Sequence, residues 1–391
     1  MYQFGFRPTR STEHSAILLV DHIRKAMDNG ELTGVAYIDL SKAFDTVSHG
    51  SLISKLNQYG IKDTPNEWFT NYLFGRVQHV QFDDQLSNPE PVYCGVPQGS
   101  LLDPLLFLIH FNGIHECVNN CKILTYADDT VIFVSSKQKE QIEQYLNEDL
   151  SYISSWLNRN QLIPNVKKGK TECMLFGTRR KLKDLKLNVS FHNKNVTETT
   201  QYKYLGIVLD QSLLLNNHFQ KTYKKASSRL RLLSKVRPLL TIKAANTLYL
   251  ALVVPILTYC PSVCFSFTET QKRKLASIDE RASRIISTRF VHVTPTSIET
   301  LKLKRTVVFV HQCIKQDVNE NFRNYFETFE TGRNTRNSGT CLRLPKVKLQ
   351  AARKAFYFLG AKMYNDLPLG VRRETNTNNF KSSFDINIQR N

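Results

Sequence analysis

Three short apolar runs that end at or enclose carboxylates constrain this chain more than any other feature. Val35-Ala36-Tyr37-Ile38 stops at Asp39, two apolar arms between Ile123 and Val134 flank Asp128-Asp129, and Cys173-Met174-Leu175-Phe176 follows the basic stretch Asn165 to Lys170. Runs of this length bounded by turn residues fit buried strands, and two arms around a charged centre fit a β-hairpin with both carboxylates at its tip. Tyr202 to Gly206 supplies another short strand pair, and Val77 to Phe82 alternates as a half-buried strand should. Between these lie helical stretches. Ser11-Thr12-Glu13 offers a hydroxyl cap to a helix carrying Ile17, Leu18, Val20 and Ile23, which Asp28-Asn29-Gly30 ends. Leu52 to Phe74 reads as helical, and so does an apolar stretch through Leu108, with Pro97 where a helix start tolerates it. Strands and helices alternate without a βαβ repeat, so the expected class is α+β, an antiparallel sheet with helices on one face.

Charge divides the chain after Asp210. Residues 1–210 hold 22 Lys+Arg against 23 Asp+Glu, while residues 211–391 hold 31 against 11. A near-neutral part followed by a strongly basic one suggests that the first holds the chemistry and the second tracks a polyanion, with nucleic acid the first candidate and an anionic membrane the second. Residues 218–290 read as mostly helical and 291–391 as mixed, with the polar stretch Thr331 to Thr340 as an internal linker. From Ala244 to Thr268 no residue is charged, yet Asn246, Pro255, Thr258, Pro261 and Ser262 interrupt it, which favours a buried core helix over a membrane span. No stable membrane association is expected. The eight cysteines are scattered and no secretory leader precedes them, which points to a reducing, intracellular compartment.

Charges at the ends of apolar strands need compensation. For Asp39, Asp128 and Asp129 a divalent metal supplies it, since Mg²⁺ takes hard oxygen ligands and completes its shell from water and phosphates. Read singly, each aspartate is also an ordinary turn residue.

These residues carry a family resemblance. Tyr126-Ala127-Asp128-Asp129 resembles the Y-x-D-D box of reverse transcriptases, and Ala36-Tyr37-Ile38-Asp39-Leu40-Ser41-Lys42-Ala43-Phe44-Asp45 resembles their first catalytic box. Gly95-Val96-Pro97-Gln98-Gly99-Ser100 looks like the P-Q-G box between them. More narrowly, Phe4-Gly5-Phe6-Arg7-Pro8, Ser11-Thr12, Ile38 to Asp45 and Tyr204-Leu205-Gly206 are similar to jockey-like non-LTR retrotransposons. Asn334 to Arg336, Leu359 to Lys362 and Asn365 to Pro368 resemble the C-terminal region of such elements.

The resemblance implies a right-handed polymerase palm over 1–210 with incomplete fingers, a basic helical thumb-like region over 211–290 and a C-terminal region of non-LTR type over 291–391. It implies an RNA-directed DNA polymerase that extends a DNA primer on an RNA template with deoxynucleoside triphosphates. Asp39, Asp128 and Asp129 would be catalytic and would ligate two Mg²⁺ ions, with Mn²⁺ as a substitute. Phe44 matches the aromatic steric gate under the sugar, or a core aromatic, and Gln98 and Gly99 match the box that contacts nucleotide and template, or a capped helix start. Lys168 or Lys170 matches the lysine that assists triphosphate departure, or belongs to a solvated basic loop. Tyr126 joins Tyr204, Leu205 and Gly206 as primer or template contacts, the last three also reading as a plain β-turn. Lys221, Lys224, Lys225, Arg229, Arg231, Lys235 and Arg237 crowd one helix that either tracks phosphates or merely faces solvent. The pattern departs from the family at Asp103, where a glycine is usual, and at Thr9 and Gly169. The beginning at Met1-Tyr2-Gln3-Phe4 suggests a chain truncated at its N-terminus, for which the alternative is an inactive nucleic-acid-binding remnant. An active element would work in the nucleus.

Overall fold

In the computed structural model, residues 2–167, 169–264, 267–288, 291–329 and 341–390 are described, the last four as backbone. They form two compact units. Residues 2–8 and 31–200 make one, and residues 9–30 and 201–391 make the other. Helix α1 (Thr12–Asp28) opens at Ser11, whose hydroxyl accepts from the His14 amide, and belongs to the second unit.

The first unit is built on β1 (Leu32–Ile38), every residue of which is buried. After β1 come α2 (His49–Gln58) and α3 (Asp63–Leu73), so the helical stretch expected from Leu52 to Phe74 is broken at Tyr59-Gly60, where Gly60 takes a φ of 88°. The strand expected over Val77 to Phe82 is interrupted at His79-Val80. Val77–Gln78 pairs with Glu90–Pro91 and Gln81–Phe82 pairs with Gln85–Leu86, all on the surface. Helix α4 (Asp103–Phe111) has Pro104, not Pro97, in its first turn. Proline lacks an amide proton, which a first turn leaves unpaired anyway, so the helix starts where that loss costs least.

Strands β2 (Lys122–Tyr126) and β3 (Asp129–Ser136) form the hairpin, with Tyr126 opposite Asp129 across the turn Ala127-Asp128. Helix α5 (Lys139–Arg159), β4 (Glu172–Phe176) and β5 (Thr197–Glu198) complete the unit. The sheet order is β5-β4-β1-β3-β2, antiparallel except where β5 lies parallel to β4. Successive strand residues point to opposite faces. Ala36, Ile38, Ile132, Val134 and Leu175 therefore share one face with Phe107 of α4 and Ile142, Leu146 and Ile153 of α5. Val35, Tyr37, Val131, Phe133, Met174 and Phe176 are buried on the other face. A centre strand buried on both sides reads as a continuous apolar run, which is what Val35 to Ile38 shows.

The second unit begins with the hairpin of β6 (Gln201–Tyr204) and β7 (Ile207–Asp210), turned by Leu205-Gly206. The Asp210 carboxylate accepts from the amides of Ser212, Leu214 and Leu215 and so folds the chain into α6 (Asn216–Val236). Helices α7 (Ile242–Leu252), α8 (Val254–Leu257), α9 (Pro261–Cys264) and α10 (Glu269–Ile286) follow. The uncharged stretch from Ala244 is thus divided among three helices, with Pro255 and Pro261 starting the shorter two. Among the described residues no helix is long and apolar enough to cross a membrane. The linker expected at Thr331 to Thr340 lies outside the described residues.

One core of this unit joins Phe219, Leu230 and Leu233 of α6 to Tyr249, Ile278, Ala282 and Ile286. Beyond it lie α11 (Ile298–Ile314), α12 (Phe356–Asn365), α13 (Leu369–Arg372) and α14 (Thr377–Arg390). Helix α1 packs into this C-terminal part through Asp21, which is 5% exposed and accepts from the Tyr325 hydroxyl at 2.7 Å and the Phe356 and Tyr357 amides at 2.8 Å each. One turn later the buried Arg24 donates to the Lys354 carbonyl at 2.5 Å.

Candidate active site

Asp39 is the first residue beyond β1, and the antiparallel register pairs Ile38 with Thr130. One further step in that register sets Asp39 opposite Asp129. The hairpin turn adds Asp128, so three carboxylates meet at one end of the sheet. Their electrostatics record this. Burial raises the Asp128 pKa, with the charge of Asp39 adding to it, and the Asp129 pKa is pushed up to about 6, first by burial and then by Asp128 and Asp39.

A strap from Ile163 to Thr171 holds the lysine side of the site. Ser41 donates to the Ile163 carbonyl, Asn165 donates to the Asp39 carbonyl at 2.8 Å, and the Asp39 amide donates to Thr171 Oγ1 at 3.2 Å. These bonds put Lys170 Nζ 3.7 Å from Asp39 Oδ2. Asp39, Lys42, Thr46, Asn165 and Lys170 then line an open pocket of about 400 Å³. Lys168 lies outside the described residues.

Among the described residues no three His, Cys, Asp or Glu side chains are gathered tightly enough to hold an ion as they stand. The donor set fits a hard divalent cation all the same. Three carboxylates converge, two of them with raised proton affinity, and Lys170 answers only part of that charge.

Gly95 to Gln98 is strapped to the residues after Asp39. The Gly95 amide donates to Val47 O and the Val96 amide to Phe44 O. Gly95 has a φ of 91°, and a β-carbon there would stand 2.8 Å from the Asp45 carbonyl oxygen, so only glycine fits. Gln98 Nε2 donates to Asp45 Oδ1 at 2.6 Å, while Gly99 is exposed. Phe44 is half-buried, stacked on Phe107 at 4.2 Å between ring centres and edge-on to Phe6 at 6.3 Å. Asp103 is buried at the start of α4 with its Oδ1 unpaired among the described residues, and burial together with Asp45 raises its pKa.

The N-terminal residues hold the carboxylate turn, a role their types did not announce. Gln3 and Phe4 run parallel to β2, with Phe4 N donating to Thr125 O at 2.7 Å and Thr125 N donating to Tyr2 O at 2.9 Å. Gly5 passes so close to the turn that a β-carbon would stand 2.3 Å from the Ala127 nitrogen.

With this geometry established, the similarities to known proteins are specific. Residues 1–209 match the family model described as reverse transcriptase (RNA-dependent DNA polymerase). The chain belongs to the reverse transcriptase family. The match takes in residues of both units, and enzymes of the family use divalent metal ions. The chain is 29% identical over 314 residues to a probable RNA-directed DNA polymerase from transposon BS of Drosophila melanogaster, covering 76% of this chain and 33% of that one. It is 27% identical to the RNA-directed DNA polymerase from mobile element jockey of the same fly, covering 73% and 32%. The X-element polymerase, at 25% identity, is matched over 85% of this chain and 36% of its own length. The chain is similar to these mobile-element polymerases and spans about a third of their length. Among solved structures, telomerase from Candida albicans in complex with a TWJ fragment of telomeric RNA aligns with a TM-score of 0.35 at 14% identity, over 79% of this chain and 52% of that one.

The basic surface of the second unit of this reverse transcriptase family member forms beside the β6–β7 turn. Gly206, Lys203, Lys221, Lys225, His218 and Tyr259 line a pocket of about 600 Å³. The Tyr259 hydroxyl lies 2.7 Å from Leu205 O and 3.0 Å from Thr12 Oγ1, fixing the turn. Tyr204 is buried and shares a 2.7 Å hydrogen bond with Ser15. Lys224, Arg229 and Arg231 are exposed along α6. Arg237 differs from them. It donates to the carbonyls of Ile285, Ile286 and Leu240, which ties the end of α10 and removes it from the phosphate-facing set. Sequence reasoning missed Gln3, Lys203, His218 and Tyr259. Only the spacing of Lys203 next to Tyr204 hinted at any of them.

Proposed function

We propose that this chain is an RNA-directed DNA polymerase that extends a DNA primer on an RNA template, as part of a mobile element. The observation that carries the reading is the meeting of Asp39 with the Asp128-Asp129 turn beside Lys170. Asp39, Asp128 and Asp129 would hold two Mg²⁺ ions, or Mn²⁺ in their place. When bound, such ions activate the primer 3′-hydroxyl and stabilise the departing oxygen. The 3′-oxygen attacks the α-phosphorus of a deoxynucleoside triphosphate, and the bond to pyrophosphate breaks.

This chain's residues then have separable tasks. Lys170 or Lys168 offers a cation to the leaving pyrophosphate. Phe44, backed by Phe107, gives a rigid floor under the sugar that leaves no room for a 2′-hydroxyl. Gln98, oriented by Asp45, and Gly99 meet the incoming nucleotide and template. Tyr126 faces the primer end beside Asp129. Leu205 and Gly206, propped by buried Tyr204, hold the primer strand, while Lys224, Lys225, Arg229 and Arg231 track phosphates. An element that copies itself into chromosomal DNA works in the nucleus.

The test is primer extension by residues 1–391 on an RNA template. Extension that requires Mg²⁺ and deoxynucleotides is the expected result. Salt-sensitive RNA binding without extension would overturn the reading in favour of a binding remnant. A second expectation concerns α6. Changing Lys224, Lys225, Arg229 and Arg231 together to glutamine lowers the slope of log affinity against log salt by about one unit for each phosphate that is no longer neutralised, whatever the sequence bound. An unchanged slope in a gel-shift titration would show that this face only meets solvent.

A further inference from the structure

We infer that Gln3 is a positioning residue for the carboxylate turn, holding Ala127 in a strained conformation so that Asp128 and Asp129 keep their places. The inference rests on the polymerase reading above, in which those two aspartates hold the ions.

Ala127 has a φ of 55°. In the left-handed region a side chain's β-carbon crowds the backbone, which disfavours that conformation for a residue other than glycine. The hairpin would relax from that conformation unless its surroundings fixed it. Gln3 does so from both sides of the residue. Its Oε1 accepts from the Ala127 amide at 2.9 Å, and its Nε2 donates to the Ala127 carbonyl at 3.2 Å. The same Oε1 accepts from the Gly5 amide at 2.8 Å, so the side chain is itself fixed by the strand it belongs to.

The main chain sets the reach. Gln3 bridges Thr125 in parallel, and Phe4 is buried with its amide on the Thr125 carbonyl. Gly5 lets this strand lie against the turn, because a β-carbon would meet Ala127 N at 2.3 Å. A primary amide is the one short neutral side chain that both accepts and donates in a plane, as a peptide partner does. Glutamate would lose the donor and add a fourth negative charge. Asparagine is one methylene too short to span the same two atoms.

The role is distinct from contact with substrate. Gln3 touches the peptide before Asp128 and acts through it. A shift of an ångström in that peptide displaces both carboxylates, and misplacement on that scale can cost about a hundredfold in rate.

The test compares Gln3→Met, which keeps length and apolar bulk, and Gln3→Asn with the wild type. The two tryptophans, Trp68 and Trp156, lie in the same unit as the turn and report through fluorescence that it is folded. Three readouts are taken: hydrogen exchange of the peptide covering residues 124–131, binding of Mn²⁺ alone followed by electron paramagnetic resonance, and RNA-templated extension. Exchange at the turn about tenfold faster in folded Gln3→Met, with Mn²⁺ bound at least severalfold more weakly, is expected. The kcat falls at least tenfold while the KM for the deoxynucleotide stays within threefold. Gln3→Asn reproduces these changes and serves where Gln3→Met does not fold. Wild-type exchange and Mn²⁺ affinity in a folded variant would overturn the inference, and so would a risen KM at constant kcat, which would make Gln3 a substrate contact. If the wild type itself fails to extend while exchange and Mn²⁺ affinity change as stated, the polymerase reading falls and the positioning role stands.

Discussion

Replacing Asp128 and Asp129 together by asparagine removes RNA-templated extension, by about a thousandfold or more, and does not lower the melting midpoint. Both halves follow from the same geometry. Two carboxylates with raised pKa values, facing Asp39, are held against their mutual repulsion. Taking away their charge relieves the fold of that repulsion while it removes the oxygen charge that a metal ion needs. Extension and melting are measured on the same preparation. Activity that survives the double change would remove these residues from the metal-binding set. A midpoint that falls along with activity would mean that the loss is one of folding.

The largest stability effect is expected far from that site. Asp21→Ala costs about 3–5 kcal/mol, because it strands the Phe356 and Tyr357 amides and the Tyr325 hydroxyl and takes from the buried Arg24 the largest of the charges that support it. Asp28→Ala is the control. Asp28 is only half-buried, and it accepts from the amides of Lys348 and Leu349, so its loss should cost about 1 kcal/mol. Tryptophan emission would miss the difference, since neither tryptophan belongs to that unit. Hydrogen exchange across residues 356–365 detects it. Equal protection in the two variants would show that Asp21 adds nothing beyond an ordinary surface bond.

The parts of this protein that were legible in the sequence are those encoded by local pattern. Asp39 could be placed at a strand end because Val35 to Ile38 is buried on both faces and so reads as one apolar run. The hairpin at Asp128-Asp129 was legible because apolar arms flank a charged pair, and the Ser11 cap because a hydroxyl precedes an apolar helical face. Boundaries were less so. Gly60 breaks a helix at a point where the apolar spacing continues, and Pro104 outcompetes Pro97 as a helix start only because Gly95 to Gln98 is already committed to pairing with Phe44 to Val47. The stretch after Ala244 looked like one helix because composition does not register the turns before Pro255 and Pro261.

What depended on distant partners left no mark at all. Arg237 sits in a basic run and reads as one more phosphate-facing cation, yet the carbonyls at the end of α10 occupy it. Gln3 reads as an ordinary polar residue, and its meaning lies in a peptide 124 positions away.

The membership of α1 in the second unit also sets a schedule for synthesis. Asp21 leaves the ribosome long before its partners, and the amide that completes its binding belongs to Tyr357, 336 residues later. At about 5–20 residues per second that interval lasts on the order of 15 to 70 seconds. Over that time the segment 31–200 has all of its own strands in hand, while α1 waits with Ile17, Leu19, Val20 and Ile23 uncovered by their final neighbours. A nascent chain of this design therefore exposes the apolar face of α1 to chaperones, proteases and self-association, and it sheds that exposure only once Phe356 and Tyr357 have emerged.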